Sequence, residues 1–189
     1  MTNKVVNKMS VRELTLGAMM VAVTAVSAQI MLPLPLTPIQ FSLQVFAVLL
    51  TAALLPLRPA VLSMVAYLLL GLFGVPVFGG FKGGPGVLFG VTGGFLIAFP
   101  LMTLWVAWLL EKQKRDGVLP LFLTMASSLV GCYLVGCLWF SMVSGAKLSA
   151  AAAAAVWPFV LPDLLKCALA ALCAVALRRV RKLTRQTPR

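Results

Sequence analysis

Residues 91–110 read VTGGFLIAFPLMTLWVAWLL, and the run that follows, Glu111-Lys112-Gln113-Lys114-Arg115-Asp116-Gly117, is the strongest charge cluster inside the chain. No Asp, Glu, Lys or Arg interrupts the first stretch. About 20 apolar residues rising 1.5 Å each cross a hydrocarbon core of about 30 Å, and a charged run marks where such a helix re-enters water. The segment therefore predicts a transmembrane helix, and composition extends that reading to the whole chain. Hydrophobic residues fill 61% of the 189 positions, charged residues only 11%, and mean hydropathy is +1.04. Soluble domains do not look like this.

Outward from this span, further apolar runs cover about Leu14–Leu32, Phe41–Leu55 and Ala60–Val75 before it, and Leu119–Met142 and Leu161–Leu177 after it. Val26-Ser27-Ala28 resembles a signal-peptidase site, but the first run is long enough to span and is followed by more membrane segments, which favours a retained helix. The breaks carry their own signals. Leu32-Pro33-Leu34-Pro35-Leu36-Thr37-Pro38 removes backbone donors and forces extended geometry, and Gly79-Gly80-Phe81-Lys82-Gly83-Gly84-Pro85-Gly86 is too rich in glycine for a regular helix. Ser149 and Ala150–Ala155 favour helix but lack the bulk and length to span, so a short loop helix is expected before the last span. The expected fold is an all-α integral membrane protein, one domain over 1–189 with about six transmembrane helices.

Charge sorts the loops by side. Lys4, Lys8, Arg12, Arg58, Lys112, Lys114, Arg115 and the basic tail at 178–189 fall on one side, and only Lys82 and Lys147 on the other. The excess of Lys and Arg on cytoplasmic loops places both termini inside. The three outer connections, Pro33–Gln40, Pro76–Gly90 and Val143–Phe159, are long and rich in Gly, Pro or Ala. Ordered non-helical backbone at the membrane persists where it is buried in protein or lines a cavity, so these loops predict a lidded pocket open to the outside. The net charge of +12 is thereby accounted for without nucleic acid, whose readers interleave basic residues with aromatics on a polar surface.

Several kinds of chemistry are excluded. Cys132, Cys137, Cys167 and Cys173 lie in apolar runs with no CxxC spacing and no histidine in the chain, so they read as packing residues. No GxxxxGK[ST] string is present for nucleotide phosphates, and no set of residues assembles into a catalytic constellation. A non-enzymatic protein without a cofactor is expected.

The polar residues that remain are few. Asp163 and Lys166 stand at i and i+3 at the outer end of the last span, hence on one helix face. A charge in an apolar helix costs on the order of 3 kcal/mol at the bilayer centre and faces a partner or a polar cavity. The two form either a ligand-binding pair or a structural ion pair. Gln44, and Gln40 before it, are further candidates, because an amide in apolar surroundings needs a partner. Gly93 and Gly94 open the fourth span, where missing side chains let loop backbone, ligand or a neighbouring helix approach. Ala18, Ala22 and Ala25 form a smooth ridge on the first span that admits close helix contact within the chain or with a partner.

Leu32–Gln44, Gly71-Leu72-Phe73-Gly74-Val75-Pro76-Val77-Phe78 ahead of the glycines, Thr92-Gly93-Gly94, and Pro158-Phe159 ahead of Asp163-Leu164-Leu165-Lys166 together resemble BioY, the family of biotin-binding S components of energy-coupling-factor transporters. The resemblance covers about Leu14–Leu177. It implies a multi-pass protein of the bacterial cytoplasmic membrane that captures biotin from outside and works with a transmembrane coupling protein and two cytoplasmic ATPases. Ala18-Met19-Met20-Val21-Ala22 matches the AxxxA pattern by which such components meet the coupling protein, and Asp163 and Lys166 match the family's polar ligand pair. Biotin's ureido ring has two N–H donors and a carbonyl. Asp163 is expected to accept an N–H, Lys166 to donate to the carbonyl or carboxylate, and Trp139, Phe140 and Trp157 to supply apolar walls. Phe81, Lys82 and Pro85 match no family pattern individually, and Lys82 is kept as a candidate on position alone. The competing readings are an S component for another vitamin, a proton-coupled secondary transporter using Asp163, and a membrane-embedded enzyme.

Overall fold

The computed structural model describes residues 9–32, 41–113 and 117–186. Lys4, Lys8, the Pro-rich connection with Gln40, Lys114, Arg115, Asp116 and residues 187–189 lie outside the described residues. Eight helices and a two-stranded ribbon run in the order α1 Val11–Gln29, β1 Met31–Leu32, β2 Phe41–Ser42, α2 Gln44–Leu54, α3 Leu57–Leu72, α4 Pro85–Leu88, α5 Gly93–Gln113, α6 Val118–Ser144, α7 Leu148–Ala155 and α8 Trp157–Gln186.

Among the described residues, four stretches are long and apolar enough to cross a membrane: α1, α5, α6 and Trp157–Val180 of α8. The expected second and third spans are the shorter apolar helices α2 and α3, of 11 and 16 residues. The shortening of α2 has a local cause. Phe41 and Ser42 pair antiparallel with Leu32 and Met31, so the chain is still extended there and turns helical only at Gln44. The short α2 is the centre of the bundle. It packs against α1, α3, α5 and α8, and Gln44 and Ala47–Ala53 are buried. The expected loop helix is α7, and the glycine segment holds one helical turn, α4, entered by Pro85 at its first position. The basic tail continues α8 through Gln186 instead of starting a separate segment.

Polar side chains inside this apolar bundle are satisfied within it, as a medium without water demands. Thr24, Thr51, Ser63 and Thr103 each donate to the carbonyl four residues back, on Met20, Ala47, Pro59 and Phe99, at 2.7–2.9 Å. The end of the bundle away from α4 is tied by two long-range bonds. Glu111 Oε1 accepts from Leu57 N at 3.0 Å, and the Arg178 guanidinium forks onto the Ala53 carbonyl, with Nε at 3.1 Å. α1 is peripheral. It buries Gly17, Met20, Val21, Thr24, Ser27 and Ala28 and leaves Ala18 and Ala22 exposed.

α5 and α6 form the closest helix pair, and glycines set their approach. A Cβ on Gly94 would overlap Trp139 Cβ, an atom that cannot swing away, whereas a Cβ on Gly131 would meet nothing within 4 Å. Gly94→Ala is therefore expected to destabilise the folded protein by about 1–3 kcal/mol through overpacking. Gly131→Ala should be neutral or slightly stabilising, since alanine suits a helix better than glycine. Thermal unfolding in detergent checks both, and equal effects would refute the packing argument.

Candidate functional site

Asp163 and Lys166 occupy successive turns on the inner face of α8, with Cys167, Ala170, Ala171 and Ala174 continuing the buried stripe below them. Pro162 immediately precedes the pair and removes one helical hydrogen bond there. Both residues are buried, at 4% and 3% exposure. Lys166 Nζ lies 2.7 Å from Asp163 Oδ1, and the other carboxylate oxygen accepts from Tyr133 Oη on α6 at 2.8 Å. The ammonium also sits 3.7 Å from the centre of the Phe41 ring on β2. Each charge thus has a charged partner and a second electrostatic contact, which is how a buried pair offsets its desolvation.

The pair opens onto a cavity of about 650 Å³, within the range of pockets that take small ligands. The polar lining comes from Ser42, Gln44, Thr92, Tyr133, Asp163 and Lys166, with Lys82 contributed by the loop after α3. Phe78, Phe95, Phe99 and Phe159 are its aromatic walls. Gln44 is buried, and its amide donates to Tyr67 Oη at 2.5 Å. Tyr67 in turn donates to the Val77 carbonyl at 2.8 Å, which commits this Gln44 donor to holding the loop after α3.

That loop is a tight reversal. Phe78 and Lys82 pair as an antiparallel bridge, Phe78 N to Lys82 O at 3.0 Å and Lys82 N to Phe78 O at 3.3 Å, around Gly79, Gly80 and Phe81. Gly80 has φ +73 and Phe81 φ +54, and Phe81 is the one non-glycine residue at positive φ among the described residues. Gln29, at the last position of α1, reaches this turn with both halves of its amide. Nε2 donates to the Phe78 carbonyl at 3.1 Å, and Oε1 accepts from Phe81 N at 2.8 Å.

The structure thus brings together Asp163, Lys166, Gln44 and Lys82 around one cavity, and leaves other expected residues outside its lining. Gly93 and Gly94 are among the latter: a side chain at Gly93 would run into the Leu88 carbonyl of α4, and one at Gly94 into Trp139. Trp139, Phe140 and Trp157 do not line the cavity. Trp139 is pressed against Gly94 and donates through Nε1 to the Gly90 carbonyl at 2.9 Å, while Trp157 is 72% exposed. The phenylalanines named above take their place as apolar walls. Tyr133 was not singled out in the sequence, although its spacing of one helical turn from Cys137 and Leu129 puts it among inward-facing α6 residues. Cys132, read as a packing residue, is buried and also touches the cavity.

Comparison with known proteins gives a consistent picture. A model of the BioY family matches residues 1–183. The "Probable biotin transporter BioY" of Pyrococcus horikoshii is 37% identical over 170 residues, covering 90% of this chain and 98% of that one. "Biotin transporter BioY2" of Lactococcus lactis subsp. cremoris is 34% identical, covering 88% and 90%, and "Biotin transporter BioY" of Thermotoga maritima is 34% identical, covering 89% and 97%. Among solved structures, the crystal structure of the S-component for biotin from an ECF-type ABC transporter superposes with a TM-score of 0.83 at 24% identity, covering 91% of this chain and 95% of that one. At that identity the likeness establishes a shared fold.

The Tyr133 hydroxyl supplies a hydrogen bond to a buried carboxylate, and such bonds contribute about 1.5–3 kcal/mol. Tyr133→Phe is expected to lower unfolding stability by that amount while leaving the helix content seen by circular dichroism intact. An unchanged melting temperature would show that the hydroxyl is not needed to hold Asp163.

Proposed function

Because the chain belongs to the BioY family, we propose that it captures biotin from outside the cell as the substrate-binding component of an energy-coupling-factor importer. In this reading it crosses the bacterial cytoplasmic membrane about six times with both termini inside, α2 and α3 completing the crossings that the four long helices begin. A transmembrane coupling protein and two cytoplasmic ATPases energise it.

The observation that carries the proposal is the cavity. A buried acid and base stand side by side in its wall, and phenylalanines make up much of the rest. Biotin has the complementary pattern. Asp163 accepts a ureido N–H, Lys166 donates to the ureido carbonyl, and Phe78, Phe95, Phe99 and Phe159 cover the thiophane ring and chain. Gln44 Nε2 donates to Tyr67 Oη, and its amide oxygen accepts from Ser42 Oγ at 3.5 Å. Lys166 is neutralised by Asp163, whereas Lys82 makes no ion pair among the described residues. Lys82 is therefore the cation left for the valerate carboxylate.

Calorimetric titration of the purified protein with biotin, with riboflavin and thiamine as controls, tests the ligand directly. A signal with biotin alone is expected, and a signal only with another vitamin would replace this reading. Asp163→Asn and Lys166→Met should each weaken biotin by about 2–5 kcal/mol with folded protein still recovered. If the two formed only a structural ion pair, each single change would instead harm stability, the double change would restore it, and affinity would hardly move. If Asp163 relayed protons, Asp163→Asn would bind biotin normally and lose only gradient-driven uptake.

The exposed Ala18 and Ala22 ridge of α1 supports docking of the coupling protein, because small residues let helix backbones approach closely. Ala22→Trp is expected to leave biotin binding nearly unchanged while abolishing ATP-driven uptake in the reconstituted complex. Loss of binding would place that ridge inside the fold.

A further inference from the structure

Phe81 poses a physical problem. A bulky side chain at positive φ is held against its own steric preference, and at 72% exposure it buries too little to offset the strain. What fixes it is the bond from its N–H to Gln29 Oε1. The other half of the same amide holds the Phe78 carbonyl on the opposite arm of the turn, so one side chain clamps both arms. The amide polarity is unambiguous, because its oxygen faces an N–H and its nitrogen a carbonyl. Gly79 adds to the clamp by seating against the end of α1 and β1, where a Cβ would come 3.4 Å from the Ala28 carbonyl and 3.1 Å from Met31 Sδ. The next residue after Phe81 is Lys82, whose backbone closes the bridge with Phe78 and whose side chain enters the cavity lining.

We propose that Gln29 is a positioning residue for ligand recognition, holding the Gly79–Lys82 turn in its left-handed form so that Lys82 is directed at the anionic end of the ligand. Gln29 does not itself line the cavity. It acts through a turn whose geometry the loop sequence does not favour unaided, since a lysine on an unclamped loop would lose orientational freedom on every binding event. The inference rests on the assignment of Lys82 to the ligand carboxylate made above.

The test compares biotin with biotin methyl ester, which keeps both rings and the chain but removes the negative charge. Lys82→Met should weaken biotin about ten-fold or more and leave the ester within about two-fold. Gln29→Met, which keeps side-chain length and apolar volume, is expected to reproduce that acid-selective loss, and its effect should not add to that of Lys82→Met. Adding Phe81→Asn to Gln29→Met should recover part of the affinity for biotin, because asparagine adopts positive φ far more readily than phenylalanine. Phe81→Val probes the same link from its exposed end without removing core packing, and supplies the measurement if Gln29→Met is not recovered folded. A β-branched residue resists positive φ, so it too should discriminate acid from ester. Equal weakening of acid and ester by Gln29→Met or Phe81→Val, or no weakening, would overturn the role of Gln29 while leaving Lys82 in place. If Lys82→Met itself treated acid and ester alike, the carboxylate assignment would fall and the positioning role with it.

Discussion

Two opposite charges on the buried face of an apolar helix impose the constraint around which the cavity end of this protein is arranged. Asp163 and Lys166 have no bulk water to solvate them, so solvation must come from the chain. Tyr133 from α6 supplies a donor to the carboxylate, and Phe41 from the β-ribbon supplies a ring face to the ammonium. These contacts recruit three separate parts of the sequence to one point. Gln44, Tyr67 and the Val77 carbonyl form a second polar chain that reaches the loop after α3. No buried side-chain nitrogen or oxygen is left without a partner among the described residues, so the polar groups of the cavity wall are satisfied by the chain itself.

Prior organisation of this kind matters for recognition. A cavity whose charges are already paired and aimed loses little freedom when a ligand arrives, and its selectivity comes from groups that an unsuitable ligand would leave unmatched. α1 is unusual in touching both sides of this arrangement. Its end holds the Gly79–Lys82 turn through Gln29 and leads directly into β1, which pairs with the strand bearing Phe41. Along its length the same helix leaves Ala18 and Ala22 uncovered. The helix with the most open face is therefore also the one that anchors the walls of the cavity.

The membrane class and the long helices were legible in the sequence because an uncharged run closed by charge has one physical meaning. Asp163 and Lys166 were legible for the complementary reason, since a charge in such a run must have a purpose. What could not be read was which way the apolar side chains point. In a soluble helix the polar face reveals the buried one, but here both faces are apolar and the pattern disappears. The rings that line the cavity are those of Phe78, Phe95, Phe99 and Phe159, whereas Trp139 packs on Gly94 and Trp157 is exposed. Gly93 and Gly94 are ambiguous between ligand and packing for the same reason, and what a side chain there would meet, Leu88 in the preceding helical turn and Trp139 on α6, follows from the fold. The clamp by Gln29 was invisible because its partners are backbone atoms some fifty positions away, and no residue type announces a backbone contact.

α2 and α8 run from the cavity to the opposite end of the bundle, and there the guanidinium of Arg178 grips the Ala53 carbonyl at the foot of α2. Asp163 and Arg178 belong to one unbroken helix, about 22 Å apart at 1.5 Å per residue. The two helices are thus tied at the end away from the cavity, and α8 continues past that tie through Gln186, so the helix that carries one wall of the cavity also carries the start of the basic tail.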